Sequence, residues 1–368
     1  MRKLFAKLHL WLSIPFGIII ALVCLTGAIL VFENEIMQLC YPTRYYVEEV
    51  KGESLPPAEL MAAARKQLPD SIPINGLRVF PDPERTYQVV LPGKKAAAFI
   101  DPYTGKLTGV DDGQGFFMQT MRLHRWLLDN FKRDGSFSWG KNLVGYATLA
   151  LAVILLSGLA IWWPRNRKML HNRLKIQTRK GWFRFFYDLH VSGGFYATLL
   201  LLALTLTGLT WSFGWYRNAF YTAFGVETTA GGQEKKASPS GKNKRPAGKP
   251  DYTQWSTVLA ELQARYPRYN SITLQDGKAS VSYARYGNTR GSDNYTFDPK
   301  TGEITGMQLY RDLPKSGKIR GWIYSVHVGT WGGLTTRILS CLVSLLGAIF
   351  AVTGYYFWFR KQRGKKRR

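Results

Sequence analysis

The chain has 368 residues, of which 46% are hydrophobic, and it carries a net charge of +26. This length is enough for two or three domains. None of the three cysteines forms a Cys-x-x-Cys pair, so the sequence supports neither a disulfide framework nor an iron–sulfur or zinc site. A large positive charge is common in nucleic-acid-binding proteins. Here the basic residues flank long apolar runs, which argues against nucleic acid and predicts contact with the anionic headgroups of a lipid bilayer.

Four uncharged runs are long enough to cross a membrane. They cover residues 10–32, 142–164, 191–213 and 338–359. At ~1.5 Å per residue, each run can span a hydrocarbon core of ~30 Å. The first run is longer than the roughly 7 to 15 residues of a signal-peptide core and lacks a small-x-small cleavage site, so it is predicted to remain as an anchor. Basic residues precede the first run, separate the second from the third and follow the fourth, which predicts that both termini are cytoplasmic.

The two long segments between these runs resemble each other. Residue patterns predict a helix at 57–68 and strands at 77–80, 87–91 and 97–100 in the first segment, and a helix at 253–266 and strands at 280–283 and 295–297 in the second. Each segment then has the sequence Asp-Pro-x-Thr-Gly, in which proline and glycine favour a tight turn. A small helix-plus-sheet module on the extracytoplasmic side is therefore predicted twice. Residues 227–250, rich in Gly, Lys, Ser and Pro, are predicted to be a disordered linker.

Short motifs within the apolar runs also occur twice. The matching motifs are Leu25-Thr26-Gly27 and Leu206-Thr207-Gly208 in the first and third runs, and Ser157-Gly158 and Thr353-Gly354 in the second and fourth. Each run is associated with a histidine that precedes its motif. The chain is therefore predicted to be a tandem duplication of span, module and span, with its two halves related by a two-fold axis along the membrane normal.

Four of the five histidines belong to this repeat. His9 and His190 are predicted at the cytoplasmic ends of the first and third helices, and His124 and His327 near the extracytoplasmic ends of the second and fourth. The two-fold axis would place His9 opposite His190 and His124 opposite His327. Two facing pairs at two depths are what a four-helix bundle needs to hold two haems, each between two imidazoles. His171 has no counterpart in the repeat and is predicted to lie on the surface.

Four glycines are predicted to make room for these haems. Gly27 and Gly208 fall at the depth of His124 and His327, and the other two, Gly158 and Gly354, at the depth of His9 and His190. Two simpler explanations compete with this one. A histidine near a membrane interface is often only a polar residue at the water line, and small residues commonly mediate close contact between helices in bilayers.

The motifs around these residues resemble a known family. They are Leu8-His9-Leu10-Trp11, Leu123-His124-Arg125-Trp126-Leu127-Leu128, Gly158-Leu159-Ala160-Ile161-Trp162-Trp163-Pro164-Arg165, Leu189-His190-Val191-Ser192-Gly193, and His327-Val328-Gly329 with Gly332-Gly333 and Arg337. Over nearly its full length the chain is similar to the PepSY-associated transmembrane family, which includes iron-regulated membrane proteins and ferric-siderophore reductases of bacterial inner membranes. The resemblance implies b-type haem, outward electron flow and, in some members, reductive release of iron from siderophores.

The expected fold is an α-helical membrane protein with a four-helix transmembrane bundle and two small α+β PepSY-like extracytoplasmic modules. The predicted boundaries are 1–33 for the first transmembrane helix, 34–115 for module 1, 116–164 for an interfacial helix and the second transmembrane helix, 165–188 for a basic cytoplasmic loop, 189–215 for the third transmembrane helix, 216–250 for a flexible linker, 251–318 for module 2, 319–359 for an interfacial segment and the fourth transmembrane helix, and 360–368 for a basic cytoplasmic tail.

The leading functional hypothesis is a di-haem b oxidoreductase of the bacterial inner membrane. Its acceptor would be a ferric siderophore or another Fe(III) chelate, because reduction weakens the hold of hard oxygen ligands on iron. The sequence has no phosphate-binding glycine-rich loop after a strand, so a quinol or a separate cytoplasmic reductase is the expected donor. Two alternatives remain at this point: a non-enzymatic PepSY binding or regulatory protein, and a haem carrier.

Cations and aromatic residues flank the predicted outer histidines. They are Arg122, Arg125, Trp126, Trp139, Arg320, Trp322 and Trp331. One explanation is an aromatic belt with headgroup contacts. The alternative is an acceptor site, because a cationic, aromatic-lined mouth would attract an anionic ferric chelate.

Overall fold

The structure is a computed structural model that describes residues 1–93, 95–129, 136–226 and 251–366. Its helices are α1 (Arg2–Val31), α2 (Glu33–Cys40), α3 (Pro42–Tyr45), α4 (Pro57–Gln67), α5 (Phe116–Trp126), α6 (Trp139–Trp162), α7 (Arg167–Arg173), α8 (Trp182–Asp188), α9 (Gly194–Ser212), α10 (Gly214–Ala223), α11 (Trp255–Arg265), α12 (Lys315–His327) and α13 (Gly333–Lys366). A π-helical segment, Leu189–Gly193, joins α8 to α9, and short 3-10 turns lie at Tyr310–Asp312 and Thr330–Gly332.

The described residues form two compact units. The membrane unit comprises Met1–Glu33, Phe116–Phe220 and Ile323–Arg368, and the sheet unit comprises Asn34–Gly115 and Tyr221–Trp322, in each case without the residues outside the described ranges. Within the described residues, four helical stretches are long and apolar enough to cross a membrane: Arg2–Val31, Trp139–Trp162, Trp182–Ser212 and Thr330–Gly364. The prediction of four spans is confirmed.

The membrane unit buries many small side chains and directs many large ones outward. Helix α1 packs against α13 and α6, and α9 packs against α6 and α13. Ala147 and Ala197 are almost fully buried at these contacts, whereas Leu199 is 77% exposed and Ile18 is 66% exposed. Lipid solvates large apolar side chains as well as a protein interior does, so the helices gain most where small residues allow a close approach.

Arginines cap two of the spanning helices at their carboxyl ends. Arg337 Nη2 donates a hydrogen bond of 2.6 Å to the Val31 carbonyl, the last residue of α1. At the end of α6, Arg2 Nη2 donates to Ile161 at 2.7 Å, and Arg173 donates to the carbonyls of Ile161 and Trp162. The last carbonyls of a helix have no partner within it, so these arginines satisfy them and also favour the negative end of the helix dipole.

The sheet unit is built on one antiparallel sheet of eight strands. They are β1 (Gly76–Val79), β2 (Tyr87–Val90), β3 (Ala97–Ile100), β4 (Leu107–Asp111), β5 (Ser271–Gln275), β6 (Lys278–Ser282), β7 (Ser292–Phe297) and β8 (Ile304–Gln308), in the spatial order β4-β3-β2-β1-β5-β6-β7-β8. Helices α4 and α11 supply Leu60 and Leu262 to a core that includes Leu77, Leu274 and Trp255.

The expectation of two separate modules is corrected by the pairing of β1 with β5. Leu77 pairs with Leu274 and Val79 with Ile272 across this junction, so both predicted modules share one sheet and one core. Strands β1 and β5 would each be an open edge in an isolated module, with unpaired N–H and C=O groups and an apolar face. Joining them removes two such edges.

The two Asp-Pro-x-Thr-Gly turns have the predicted form. Gly105 and Gly302 adopt positive φ values of 69° and 76°, and each donates its N–H to the carbonyl of the aspartate that opens its turn. The side chain of Asp101 accepts from the Tyr103 N–H at 2.8 Å, and that of Asp298 accepts from the Lys300 N–H at 2.8 Å. These turns connect β3 to β4 and β7 to β8.

Several predicted boundaries differ from the structure. Part of the linker predicted at 216–250 is the helix α10, which ends at Ala223, and the disordered stretch predicted at 227–250 lies outside the described residues. The basic loop predicted at 165–188 contains α7 and α8, and α8 runs on into the third span. Helix α13 continues into the predicted tail at 360–368 as far as Lys366, in a segment that includes good helix formers such as Arg360 and Lys361.

Candidate functional site: two facing histidine pairs

The membrane unit brings the four repeated histidines together as two pairs. His9 on α1 faces His190 in the π-helical segment, with ring centroids 6.5 Å apart. His124 on α5 faces His327, the last residue of α12, with ring centroids 6.2 Å apart. His9 precedes Gly27 by five turns of α1, and Gly27 contacts the His124 ring, so the two pairs are about 27 Å apart along this helix. His171 lies apart from both pairs on α7 and is exposed.

Each histidine is held through its Nδ1 atom by a neighbouring helix. His9 Nδ1 is 3.0 Å from the Ile154 carbonyl, and His124 Nδ1 is 2.9 Å from the Val23 carbonyl. His327 Nδ1 is 3.0 Å from the Leu204 carbonyl. A carbonyl can only accept, so these contacts place the proton on Nδ1 and leave Nε2 with its lone pair.

A buried hydroxyl group also contacts Nδ1 in every case. The distances are 3.3 Å from His9 to Ser157, 3.2 Å from His124 to Thr26, 3.1 Å from His327 to Thr207 and 2.8 Å from His190 to Thr353. Sequence reasoning assigned no role to these hydroxyl residues. The available signal was their position, since each immediately precedes one of the four repeated glycines.

The four glycines lie against the imidazole rings. A Cβ atom at Gly27 would be 3.1 Å from His124 Cε1, and one at Gly208 would be 3.1 Å from His327 Cε1. At Gly158 the corresponding distance to His9 is 3.3 Å, and at Gly354 the distance to His190 is 3.8 Å. The glycines therefore fall at the predicted depths, and what each of them directly admits is the ring of one histidine.

The geometry of both pairs fits an iron bound between two imidazoles. With metal–nitrogen distances of about 2 Å, two imidazoles on opposite sides of one iron have ring centroids roughly 6 Å apart. Among the described residues, none donates or accepts a hydrogen bond at Nε2 of these histidines. The same part of the chain holds no cluster of three or more His, Cys, Asp or Glu residues placed to bind a free metal ion. Each pair could supply one imidazole nitrogen from either side, which is the ligand set of a haem iron held by two histidines.

The surroundings of His124 and His327 favour the neutral imidazole, and aromatic rings lie beside two of the four histidines. Burial lowers the pKa of His124 to about 4 and that of His327 to about 3, so both rings are uncharged near neutral pH. The neutral ring is the form that binds iron. The Trp211 ring lies edge-on to His327, with ring centroids 5.0 Å apart. The rings of Phe350 and Phe357 lie beside His190, with centroid distances of 5.7 and 5.8 Å.

The residues predicted as an acceptor site are spread over both units. Arg122, Arg125 and Trp126 lie on α5, Trp139 begins α6, Trp331 lies in the Thr330–Gly332 turn, and Arg320 and Trp322 lie on the part of α12 that belongs to the sheet unit. The Arg125 guanidinium stacks 4.8 Å from the centroid of Trp126, which is itself buried. The main-chain carbonyl of Trp126 lies against Gly140, where the end of α5 meets the start of α6. Trp139 is 78% exposed and fits an interfacial position.

Comparison with known proteins agrees with the architecture. A family model described as "PepSY-associated TM region" matches residues 6–361. A search of curated proteins gave no match. The matched residues include most of the first and fourth spans, all of the second and third, the eight strands and both histidine pairs. This chain therefore belongs to the PepSY-associated transmembrane family.

Proposed function

We propose that the protein is a membrane electron-transfer protein that binds two haems b. The observation that carries this proposal is the pair of facing imidazoles at each of two levels of the bundle, with ring centroids 6.5 and 6.2 Å apart and each Nδ1 hydrogen-bonded to a neighbouring helix. His9 and His190 would hold one haem, and His124 and His327 the other. When bound, each haem iron would accept and release one electron at a time. The protein would set haem orientation and potential through the imidazoles, their hydrogen bonds and the apolar surroundings.

The proposed arrangement in the membrane follows from the repeat and from the charge distribution. The matching histidine, hydroxyl and glycine positions support a tandem duplication with a two-fold axis along the membrane normal. Basic residues at Arg2, Lys3 and Lys7 and in the 165–188 loop support cytoplasmic termini in a bacterial inner membrane. His9 and His190 would then lie on the cytoplasmic side, and His124 and His327 on the extracytoplasmic side.

The proposed acceptor is an extracytoplasmic Fe(III) chelate such as a ferric siderophore. One electron converts Fe(III) to Fe(II), which binds less strongly to hard oxygen ligands and is released. A quinol or a separate cytoplasmic reductase would supply the electrons. Arg125 supports this location of the acceptor, because it is a cation immediately next to the proposed ligand His124 in the sequence.

The visible spectrum of the purified full-length protein tests the proposal. We expect about two haems per chain by pyridine haemochrome assay, with the sharp low-spin bands of iron held by two imidazoles. Addition of a ferric chelate to the reduced protein should restore the oxidised spectrum. A protein that binds no haem when cells are supplied with it would support the non-enzymatic PepSY alternative. One that releases haem readily to an apo-globin and is not reoxidised by the chelate would support a haem carrier.

A further inference from the structure

The four histidines are not held alike. His9, His124 and His327 each place Nδ1 within 3.0 Å of a main-chain carbonyl and also near a hydroxyl group. Among the described residues, the hydrogen-bond partner of His190 Nδ1 is the Thr353 hydroxyl alone, at 2.8 Å. The carbonyl that would complete the pattern belongs to Phe350, four residues before Gly354.

A local change in the helix accounts for this difference. His190 lies in the π-helical segment Leu189–Gly193, whereas His9 lies in the uninterrupted α-helix α1. A π-helical turn contains an extra residue, which widens the helix and re-aims the side chains within it. The distance from a Cβ built at Gly354 to the His190 ring is 3.8 Å, longer than the 3.1 to 3.3 Å at the other three sites. The ring is therefore set further from its neighbouring helix, beyond reach of the carbonyl.

The Thr353 hydroxyl is itself oriented by its own helix. It is buried and donates its proton to the Ile349 carbonyl at 2.8 Å. Its lone pairs remain to accept the His190 Nδ1 proton, so the contact specifies the tautomer with Nε2 unprotonated. A hydrogen bond to Nδ1 fixes the orientation of a ligating imidazole and raises its basicity, and loss of such a partner typically weakens metal binding about 10- to 100-fold.

We infer that Thr353 is the positioning residue of His190, and that the haem site formed by His9 and His190 depends on this one side chain in a way that the other site does not. The inference rests on the proposed haem function. At the other three histidines the hydroxyl is a second partner, and the carbonyl remains when the hydroxyl is removed. At His190 removal of the hydroxyl leaves the buried ring N–H without its acceptor.

Matched substitutions of threonine test this inference. Thr353→Val keeps the side-chain shape and removes the hydroxyl, and Thr207→Val does the same at His327, where the Leu204 carbonyl remains at 3.0 Å. Thr353→Ser restores the acceptor. Each full-length variant is purified in detergent, its haem content is measured by pyridine haemochrome, and a redox titration followed by visible and electron paramagnetic resonance spectra resolves the two haems.

We expect Thr353→Val to move the midpoint of one haem to a more positive potential, because a less basic imidazole stabilises Fe(III) less well. That haem should also dissociate about 10- to 100-fold more readily. Thr353→Ser should resemble the parent, and Thr207→Val should change either haem much less. If Thr353→Val lost its fold, Thr353→Ala would provide the same test with a smaller side chain.

The possible failures are distinguishable. A parent protein without haem would overturn the proposed function and this inference with it. A parent with two haems, combined with equal effects of Thr353→Val and Thr207→Val or with no effect of either, would overturn the role of Thr353 and leave the proposed function intact.

Discussion

The two units of the molecule differ in the proportions of large and small residues that they bury. The sheet unit buries large apolar side chains, among them Trp255, Tyr295, Leu77 and Leu274, each at most 1% exposed. The membrane unit buries alanines, glycines and the hydroxyl groups of residues such as Thr207, while many of its leucines face outward. Water drives large side chains into the sheet unit, whereas in lipid the gain comes from close helix contact and from satisfied polar groups.

The two units also differ in how their buried polar groups are used. In the membrane unit the four repeated histidines find hydrogen-bond partners on neighbouring helices, at main-chain carbonyls and buried hydroxyl groups. In the sheet unit the interior is mostly apolar, although Asp293 is also buried there and accepts a hydrogen bond from the Tyr266 hydroxyl. The four proposed haem ligands all belong to the membrane unit.

The largest expected effect is the loss of one haem from the membrane unit. His9→Ala removes one ligand of a pair while the other pair, about 27 Å away along α1, keeps both. We expect haem content to fall from about two to about one per chain, measured by pyridine haemochrome against total protein. His171→Ala is the matched control, because His171 is exposed on α7 and belongs to neither pair. Loss of both haems or of neither from folded protein would contradict the pairing.

The same Leu→Ala change should have unequal effects in the two units. Leu274 is fully buried in the sheet core, so Leu274→Ala should destabilise the sheet unit by about 2–5 kcal/mol. Leu199 is 77% exposed on α9, and Leu199→Ala should cost far less because lipid replaces its contacts. Thermal unfolding, monitored by tryptophan fluorescence and by limited proteolysis, measures the loss of stability in each variant. Equal losses of stability would show that Leu199 is packed against protein.

Adding a methyl group beside a histidine should disturb one haem more than the other. An alanine at Gly27 would bring Cβ to 3.1 Å from a His124 ring that is tied to Val23, whereas at Gly354 the distance to His190 is 3.8 Å, an ordinary contact. We expect Gly27→Ala to lower the occupancy or shift the spectrum of one haem, and Gly354→Ala to leave both nearly unchanged. Alanine favours the helix by about 1 kcal/mol over glycine, so reduced stability should not be the cause. Identical spectra for both variants would return these glycines to ordinary helix packing.

The smallest expected effect is on the rate of electron delivery. Arg125→Glu should slow reoxidation of the reduced protein by an anionic ferric chelate about tenfold at low ionic strength, because a charge near the proposed outer site changes from attractive to repulsive. Arg179→Glu makes the same charge change in the basic 165–188 segment and serves as the control. Stopped-flow absorbance measures both rates. Equal rates for the two variants and the parent over a range of salt concentrations would mean that the acceptor docks elsewhere.

The sequence by itself determined the features that depend on residues close together in the chain. Runs without charge predicted the four spans, since a charged side chain is costly in lipid. Alternation and the two Asp-Pro-x-Thr-Gly motifs predicted most strands and the turns at Gly105 and Gly302. The repeat predicted which histidines would face each other and which glycines would lie at their depths, because residues on one helix face recur with the helical period.

Tertiary structure decided what depends on contacts between distant segments. The pairing of Leu77 with Leu274 joins two predicted modules into one sheet, and nothing local distinguishes an edge strand that finds a partner from one that stays open. The carbonyls of Val23, Ile154 and Leu204 hold three histidines, yet every residue has a carbonyl, so no side-chain pattern marks them. The π-helical turn at His190 contacts α13, a distant part of the chain. It leaves Thr353 as the acceptor, because the width of a helix turn is set by its neighbours as well as by its own residues.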